Sequence, residues 1–257
     1  MKHLALSFAA LAAIGAAPCL GQAPGPVTVI NYAGFTGLFP VAPGSIASAY
    51  GDFGAGVAAT GASGANPLPR EIAGVRLRIG GTDAPLYYVS RNQINLVVPV
   101  ATAIGRQTAE VVSGGNVVAR GNVNVYDFAP GLASNDPTPS RQGIIQNQDF
   151  AINGPSARAR RGETIQLYAT GCGATNPQSQ DGVPPSSLSP ATALVRAFVS
   201  VEEAAVQFAG AQPQFPGICQ VNLLVPNLPN REFITGQAPV FITVNGIASN
   251  PVTVWVE

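Results

Sequence analysis

"QINLVVPV" occupies residues 93–100 and "QVNLLVPN" occupies residues 220–227, nearly the same eight letters written twice in a chain of 257 residues. The likeness widens on both sides. Upstream, "PGSIASAYGDFGA" (43–55) answers to "RGETIQLYATGCGA" (161–174), with Gly44 matching Gly162 and Tyr50 matching Tyr168. Between these blocks lie "GVRLRIGG" (74–81) and "RAFVSVEE" (196–203); downstream, "NVNVYDF" (122–128) answers to "PVTVWVE" (251–257). A period of more than about 100 residues is too long for a solenoid unit and predicts two domains of one fold.

Inside each half the hydrophobic period is two. Val252, Val254 and Val256 share one face of the closing segment, and Thr253, Trp255 and Glu257 share the other. The octapeptides mix alternation with an apolar run, as central strands do, and Pro99 and Pro226 end them because proline cannot donate to a ladder. "VVSGGNVV" (111–118) and "FITVNGIAS" (241–249) place Gly-Gly and Asn-Gly between β-branched runs, the spelling of tight hairpins. "PATALVRAFVSVEEAAVQFAG" (190–210) comes closest to a helical stripe, but its β-branched residues and its place in the repeat favour strands. Apolar residues make up 46% and charged residues only 10%, while 29 Gly and 23 Pro supply turns. The expected fold is all-β: two tandem antiparallel β-sandwiches of about seven strands each, spanning 22–130 and 131–257. The short, Pro-bearing connector "FAPGLASNDPTPS" (128–140) predicts a stiff joint.

Residues 1–21 read as a signal peptide. Lys2 is a positive start, "LALSFAALAAIGAA" (4–17) is an apolar run, and Cys19 and Gly21 stand at −3 and −1 of a cut before Gln22. The run is shorter than the roughly 20 residues of a membrane span, and Pro18 disfavours lipidation at Cys19. Cleavage there removes the only Met, Lys and His, leaving 12 Arg against 13 Asp+Glu, a net charge of −1. Such a surface has no basic field for nucleic acid. The expected location is secreted, periplasmic or cell-envelope, with no membrane span after signal removal.

Without histidine or lysine the mature chain cannot build a Ser-His-Asp or Cys-His arrangement, a histidine metal site, a Schiff base or a Ser-Lys dyad. Two cysteines cannot close a four-ligand zinc site. A carboxylate pair remains, but Glu202 and Glu203 are consecutive and point to opposite faces of a strand. The expectation is no catalytic residues, no metal and no cofactor.

The blocks "APGSIASAYG", "APLYYVSRNQINLVVP", "RRGETIQLYATGCG" and "PGICQVNLLVPN" resemble those of the uncharacterised carboxy-terminal domain family abundant in Solibacter and other acidobacteria. The resemblance runs from about "VTVINYAGF" (27–35) to Glu257. That family usually follows other domains, whereas here it directly follows the leader. The resemblance implies export and immunoglobulin-like sandwiches, and it carries no activity to transfer.

Three motifs invite a chemical reading and have a plainer one. "GAGVAATGASG" (54–64) spells a nucleotide loop, but "TGASGANPLPR" cannot supply the helix such a loop needs. "NQDFAING" (147–154) holds Asn147, Asp149 and Asn153, with too few acids for calcium; an Asx turn is expected. "ARARRGE" (157–163) reads as a charged, solvated strand edge.

Candidate binding residues are the aromatics Tyr87, Tyr88, Tyr126 and Trp255. One of the adjacent pair Tyr87 and Tyr88 should face outward, and Tyr126 and Trp255 hold equivalent places in the two closing strands. Exposed rings stack on sugars or anchor partners; the plainer expectation is that these faces meet as the interdomain contact. The partner is then an unknown extracellular protein or polysaccharide, with a carbohydrate-binding module as the alternative to a structural one. Finally, Cys172 and Cys219 are the two cysteines left after export, and they lie near adjacent strand ends of the second half. An even count in an oxidising compartment predicts a disulfide between them.

Overall fold

The computed structural model describes residues 23–33, 40–62, 64–134, 136, 138, 141–227 and 236–257. The expected leader, 1–21, lies outside them. All regular structure among the described residues is β.

In the first half, nine strands form one hydrogen-bonded path. They are β1 (Gly25–Asn31), β2 (Ile46–Gly51), β3 (Thr60–Gly61), β4 (Val75–Ile79), β5 (Thr82–Asp83), β6 (Leu86–Val89), β7 (Gln93–Val97), β8 (Gly105–Ser113) and β9 (Asn116–Val125). Their order is β3-β6-β7-β2-β1-β9-β8-β4-β5. The path folds over at β1. Gly25 and Pro26 pair with Ala119 and Arg120 of β9, and Val27–Asn31 then pair with β2. That crossing explains a departure from the antiparallel expectation: β1 and β9 run parallel. It also demands a bare backbone. A Cβ added at Gly121 would lie 1.9 Å from the Val27 carbonyl oxygen. The two faces brought together enclose one core, including Ala47, Leu77, Ile94, Leu96 and Val111.

The second half holds β10 (Gly131–Leu132), β11 (Ile145–Gln146), β12 (Thr164–Thr170), β13 (Ser189–Pro190), β14 (Val195–Val199), β15 (Glu202–Ala204), β16 (Val206–Ala211), β17 (Cys219–Leu224), β18 (Gln237–Val244), β19 (Ile247–Ala248) and β20 (Val252–Trp255). One sheet runs β10-β12-β17-β16-β13, with β11 also on β12. The other runs β15-β14-β18-β19, with β20 on β18. Ile165, Leu167, Val221 and Leu223 from the first sheet share a core with Ala197, Val240, Ile242 and Val254 from the second. The segment 190–210 supplies β14, β15 and most of β16 and no helix, as its branched residues indicate. Both halves exceed seven strands because two-residue strands such as β3, β5, β13 and β19 border the longer ones.

The repeat is a repeat of ladders. Tyr50 pairs with Gln93 and Ser48 with Asn95 on β2 and β7; Tyr168 pairs with Gln220 and Gln166 with Asn222 on β12 and β17. Beyond each octapeptide the next strand carries a bulge at the same place, between Leu86 and Tyr88 on β6 and between Val206 and Phe208 on β16. The hairpin turns are as spelled. Gly114 and Gly115 (φ 57° and 82°) and Asn245 and Gly246 (φ 46° and 85°) are left-handed at both central positions, matching the twist of the strands they join.

Buried amides close gaps in the ladders. Asn250 accepts from the Leu132 N–H (2.9 Å) and donates to its carbonyl (3.0 Å), as a neighbouring strand would.

Candidate functional site

Cys172 lies just past β12 and Cys219 opens β17, whose partner on β12 is Ala169. The two cysteines form a disulfide with a Cα–Cα distance of 6.2 Å, inside the usual range for such bridges. Both are buried, at 4% and 5% exposure. The segments they tie together face the first half. The Ile46 N–H donates to Thr170 Oγ1 (2.7 Å), and that hydroxyl donates to the Gly217 carbonyl (2.8 Å). The Tyr87 hydroxyl donates to the Pro216 carbonyl at 2.7 Å.

Further along, the Leu68 N–H donates to the Gly182 carbonyl (2.8 Å). The Val100 N–H donates to Asp181 (2.8 Å), whose carboxylate also pairs with Arg70 (3.1 Å). Ile46 and Val97 are buried without belonging to either core. At Ile46 the cover is the turn at Gly217, where an added Cβ would lie 2.9 Å from Ile46 Cγ1. A groove of about 280 Å³ runs along this joint, with Val100 and Ile104 on one wall and Phe128, Thr175 and the two cysteines on the other.

The four sequence-predicted aromatics fall in different settings. Tyr87 is in the joint, and burial pushes its phenol above the ordinary tyrosine range. Tyr88 is half-buried and pairs with Asn95. Neither tyrosine belongs to the core, and the bulge between Leu86 and Tyr88 interrupts the strict alternation there. Tyr126 follows β9 and is 54% exposed. Trp255 is half-buried in β20. Asn153 clamps its backbone, accepting from its N–H (2.7 Å) and donating to its carbonyl (2.8 Å), and the Arg158 guanidinium lies 5.1 Å from its ring centroid. Of the four, Tyr87 takes part in the joint, and the partners of Trp255, Asn153 and Arg158, belong to its own half.

The remaining motifs resolve into scaffold. Asn147 and Asn153 are buried and bonded to each other (2.9 Å), and Asp149 accepts from the Ala151 N–H (3.0 Å) in an Asx turn. "ARARRGE" runs beside β20 through the pairing of Ala159 with Val256, and Arg160 reaches Glu257 at 2.7 Å. Those side chains border a polar cleft of about 450 Å³ with Gln148, Asp149 and Glu163. Glu203 accepts both arms of Arg196 (2.7 and 2.6 Å), which hold its carboxyl below the usual range, and Glu202 beside it is exposed. Among the described residues no three of His, Cys, Asp or Glu converge as a metal site. No described helix is long and apolar enough to cross a membrane.

Sequence reading missed Phe208. It sits after the β16 bulge opposite Asn222, the place Tyr88 holds opposite Asn95. Aligning "LYYV" (86–89) with "VQFA" (206–209) exposes the equivalence once the bulge is known.

No family model matches the chain, and no curated protein matches it. Among solved structures, one similar chain is a surface glycan-binding protein of a Bacteroides ovatus mixed-linkage glucan utilization locus, solved with a mixed-linkage heptasaccharide. It is 14% identical over 85% of this chain and 44% of that one, with a TM-score of 0.34. An auxiliary nutrient binding protein of Bacteroides ovatus is 18% identical over 42% of this chain and 22% of its own (TM-score 0.25). InvD of Yersinia pseudotuberculosis is 15% identical over 91% and 58% (TM-score 0.24). The chain spans less than half the length of the two Bacteroides proteins. Likeness this distant assigns neither ligand nor activity.

Proposed function

We propose that the chain is a non-catalytic interaction module of the cell envelope or extracellular space, built from two immunoglobulin-like sandwiches, 22–130 and 131–257, locked at a stiff joint. The observation that carries this reading is where its reactive and polar side chains go. Thr170, Tyr87 and Asp181 tie the halves to each other, the disulfide braces the segments of the second half that face the first, and Asn153, Arg158 and Arg160 secure the closing strand. The bridge belongs to an oxidising compartment, in keeping with the leader read at 1–21 and with the resemblance to exported acidobacterial domains. A mature chain without histidine or lysine has no side chain for the commonest base and amine chemistry.

The reading is tested by expressing the chain with its own leader, locating it by cell fractionation, and incubating the purified protein with polysaccharide, ester and peptide substrates. Recovery in an envelope or extracellular fraction with no turnover is expected. Turnover abolished by a single Asp or Glu substitution would overturn it.

A further inference from the structure

Core packing accounts for the inward letters of the repeated octapeptide, Ile94 and Leu96 in one copy and Val221 and Leu223 in the other. It does not account for the solvent-side letters. Gln93 and Asn95 recur as Gln220 and Asn222, and each pair is joined by the same bond, Gln Nε2 to Asn Oδ1 at 2.8 Å in both halves. The cross-strand neighbour of the Gln is a tyrosine both times, Tyr50 and Tyr168. The bulge-side neighbour of the Asn is an aromatic both times, Tyr88 and Phe208. Cross-strand preference is met by many residue pairs, so retention of this combination points to the surface it makes.

In the first half part of that surface is closed, since Ser48 is buried and ties Asn95 at 2.9 Å. In the second half the place of Ser48 is taken by Gln166, which is half-exposed. Phe208, Asn222, Gln166, Gln220 and Tyr168 are all half-exposed, with Gln146 bonded to the Tyr168 hydroxyl at the far edge. Gln220 also donates to Gln166 at 3.2 Å, so the amides are held in fixed orientations by one another.

From this arrangement we infer that the outer face of the β12–β17–β16 sheet is a platform for an uncharged polysaccharide. The inference rests on the module reading above and supplies it with a ligand class. No residue of the platform is charged, which matches it to a neutral polymer and not to nucleic acid or a polyanion. Gln220 spends its two N–H groups on Gln166 and Asn222, so its carbonyl oxygen offers an acceptor beside the donor ends of the Gln166 and Asn222 amides, the pattern that neighbouring sugar hydroxyls satisfy. The rings of Phe208 and Tyr168 offer apolar faces to the C–H side of a sugar ring. A sheet surface is long and shallow, suited to a chain of sugars more than to a single one.

Native gel electrophoresis of the full chain in hydroxyethyl cellulose, xylan or polygalacturonate tests it. The uncharged polymers should retard the protein and polygalacturonate should not. Phe208→Ala should weaken retardation by about threefold or more, as should Gln220→Glu, which keeps the side chain's shape while adding charge. Tyr126→Ala should change nothing. Circular dichroism of Gln220→Glu matching the wild type shows that recognition, not the fold, was lost. The inference is overturned by absence of retardation in both uncharged polymers, by equal retardation in all three, or by retardation that neither platform variant alters. Release of reducing ends from the polymer, with Phe208→Ala still losing retention, would support the platform and overturn the non-catalytic reading instead.

Discussion

Three cross-strand rows of the repeated face tell the halves apart. Two keep their character, Tyr50–Gln93 against Tyr168–Gln220 and Ser48–Asn95 against Gln166–Asn222. The third does not. Ile46 and Val97 in the first half are apolar and buried, Ile46 under the turn at Gly217; their counterparts Thr164 and Leu224 are half-exposed. The same sheet therefore ends in a socket in one copy and in an open surface in the other. The disulfide falls on the side that supplies the plug, where Cys219 follows Gly217 by two residues, and the matching positions of the first half, near Phe53 and at Asn92, carry no cysteine. The halves share the apolar core and the amide row, and they differ where one meets the other.

Removing the bridge should widen this difference most. Cys172→Ala with Cys219→Ala frees a loop with a sequence separation of 47, and the chain-entropy model puts the loss at about 4 kcal/mol. Calorimetry should then resolve an early transition for the second half and a later one for the first; a single transition at the wild-type temperature would show that the bridge does not brace that half.

The socket row comes next. Ile46→Ala should cost about 2–3 kcal/mol because it empties a buried site, whereas Thr164→Ala, at the matching half-exposed place, should stay within about 0.5 kcal/mol. Urea titration of both variants checks it, and equal costs would deny that the two rows differ.

Smaller than the loss at Ile46 is the effect of Tyr87→Phe, about 1 kcal/mol at neutral pH, from the hydroxyl lost to the Pro216 carbonyl. Its pH dependence carries a sign. Burial raises the folded-state pKa of Tyr87 above the unfolded value near 10. The associated stability is complete below about pH 10 and declines as the pH rises beyond it, where only the unfolded chain ionises. Wild-type stability measured by urea titration should therefore fall more steeply above pH 10 than that of Tyr87→Phe; parallel curves would place Tyr87 in solvent.

Much of this architecture is local and so legible in sequence. Alternation marked the inward valines of β20, Gly114-Gly115 and Asn245-Gly246 marked hairpins, and two cysteines in a chain that opens on a leader-like segment marked their bridge. What was not legible depends on distant segments. The parallel pairing of β1 with β9 arises because β1 changes sheets, and nothing in "GPVTVIN" spells that. The bulges add a residue without changing composition, so Tyr87 was indistinguishable from an ordinary strand residue, and Phe208 went unnoticed in "VQFAGA". Trp255 read as an exposed ring because Arg158 and Asn153, which cover and clamp it, come from a different segment of the half.

The central claim is that two like halves are locked by a built joint, and amide hydrogen exchange tests it most directly. Ile46, Leu68 and Val100 are N–H groups of the first half whose acceptors, Thr170, Gly182 and Asp181, belong to the second. Their exchange should be slowed to the level of strand amides such as Ile94 and Val221, and Asp181→Ala should release Val100 while leaving those two protected. Exchange of all three as fast as an exposed loop, with Ile94 and Val221 still protected, would contradict the joint.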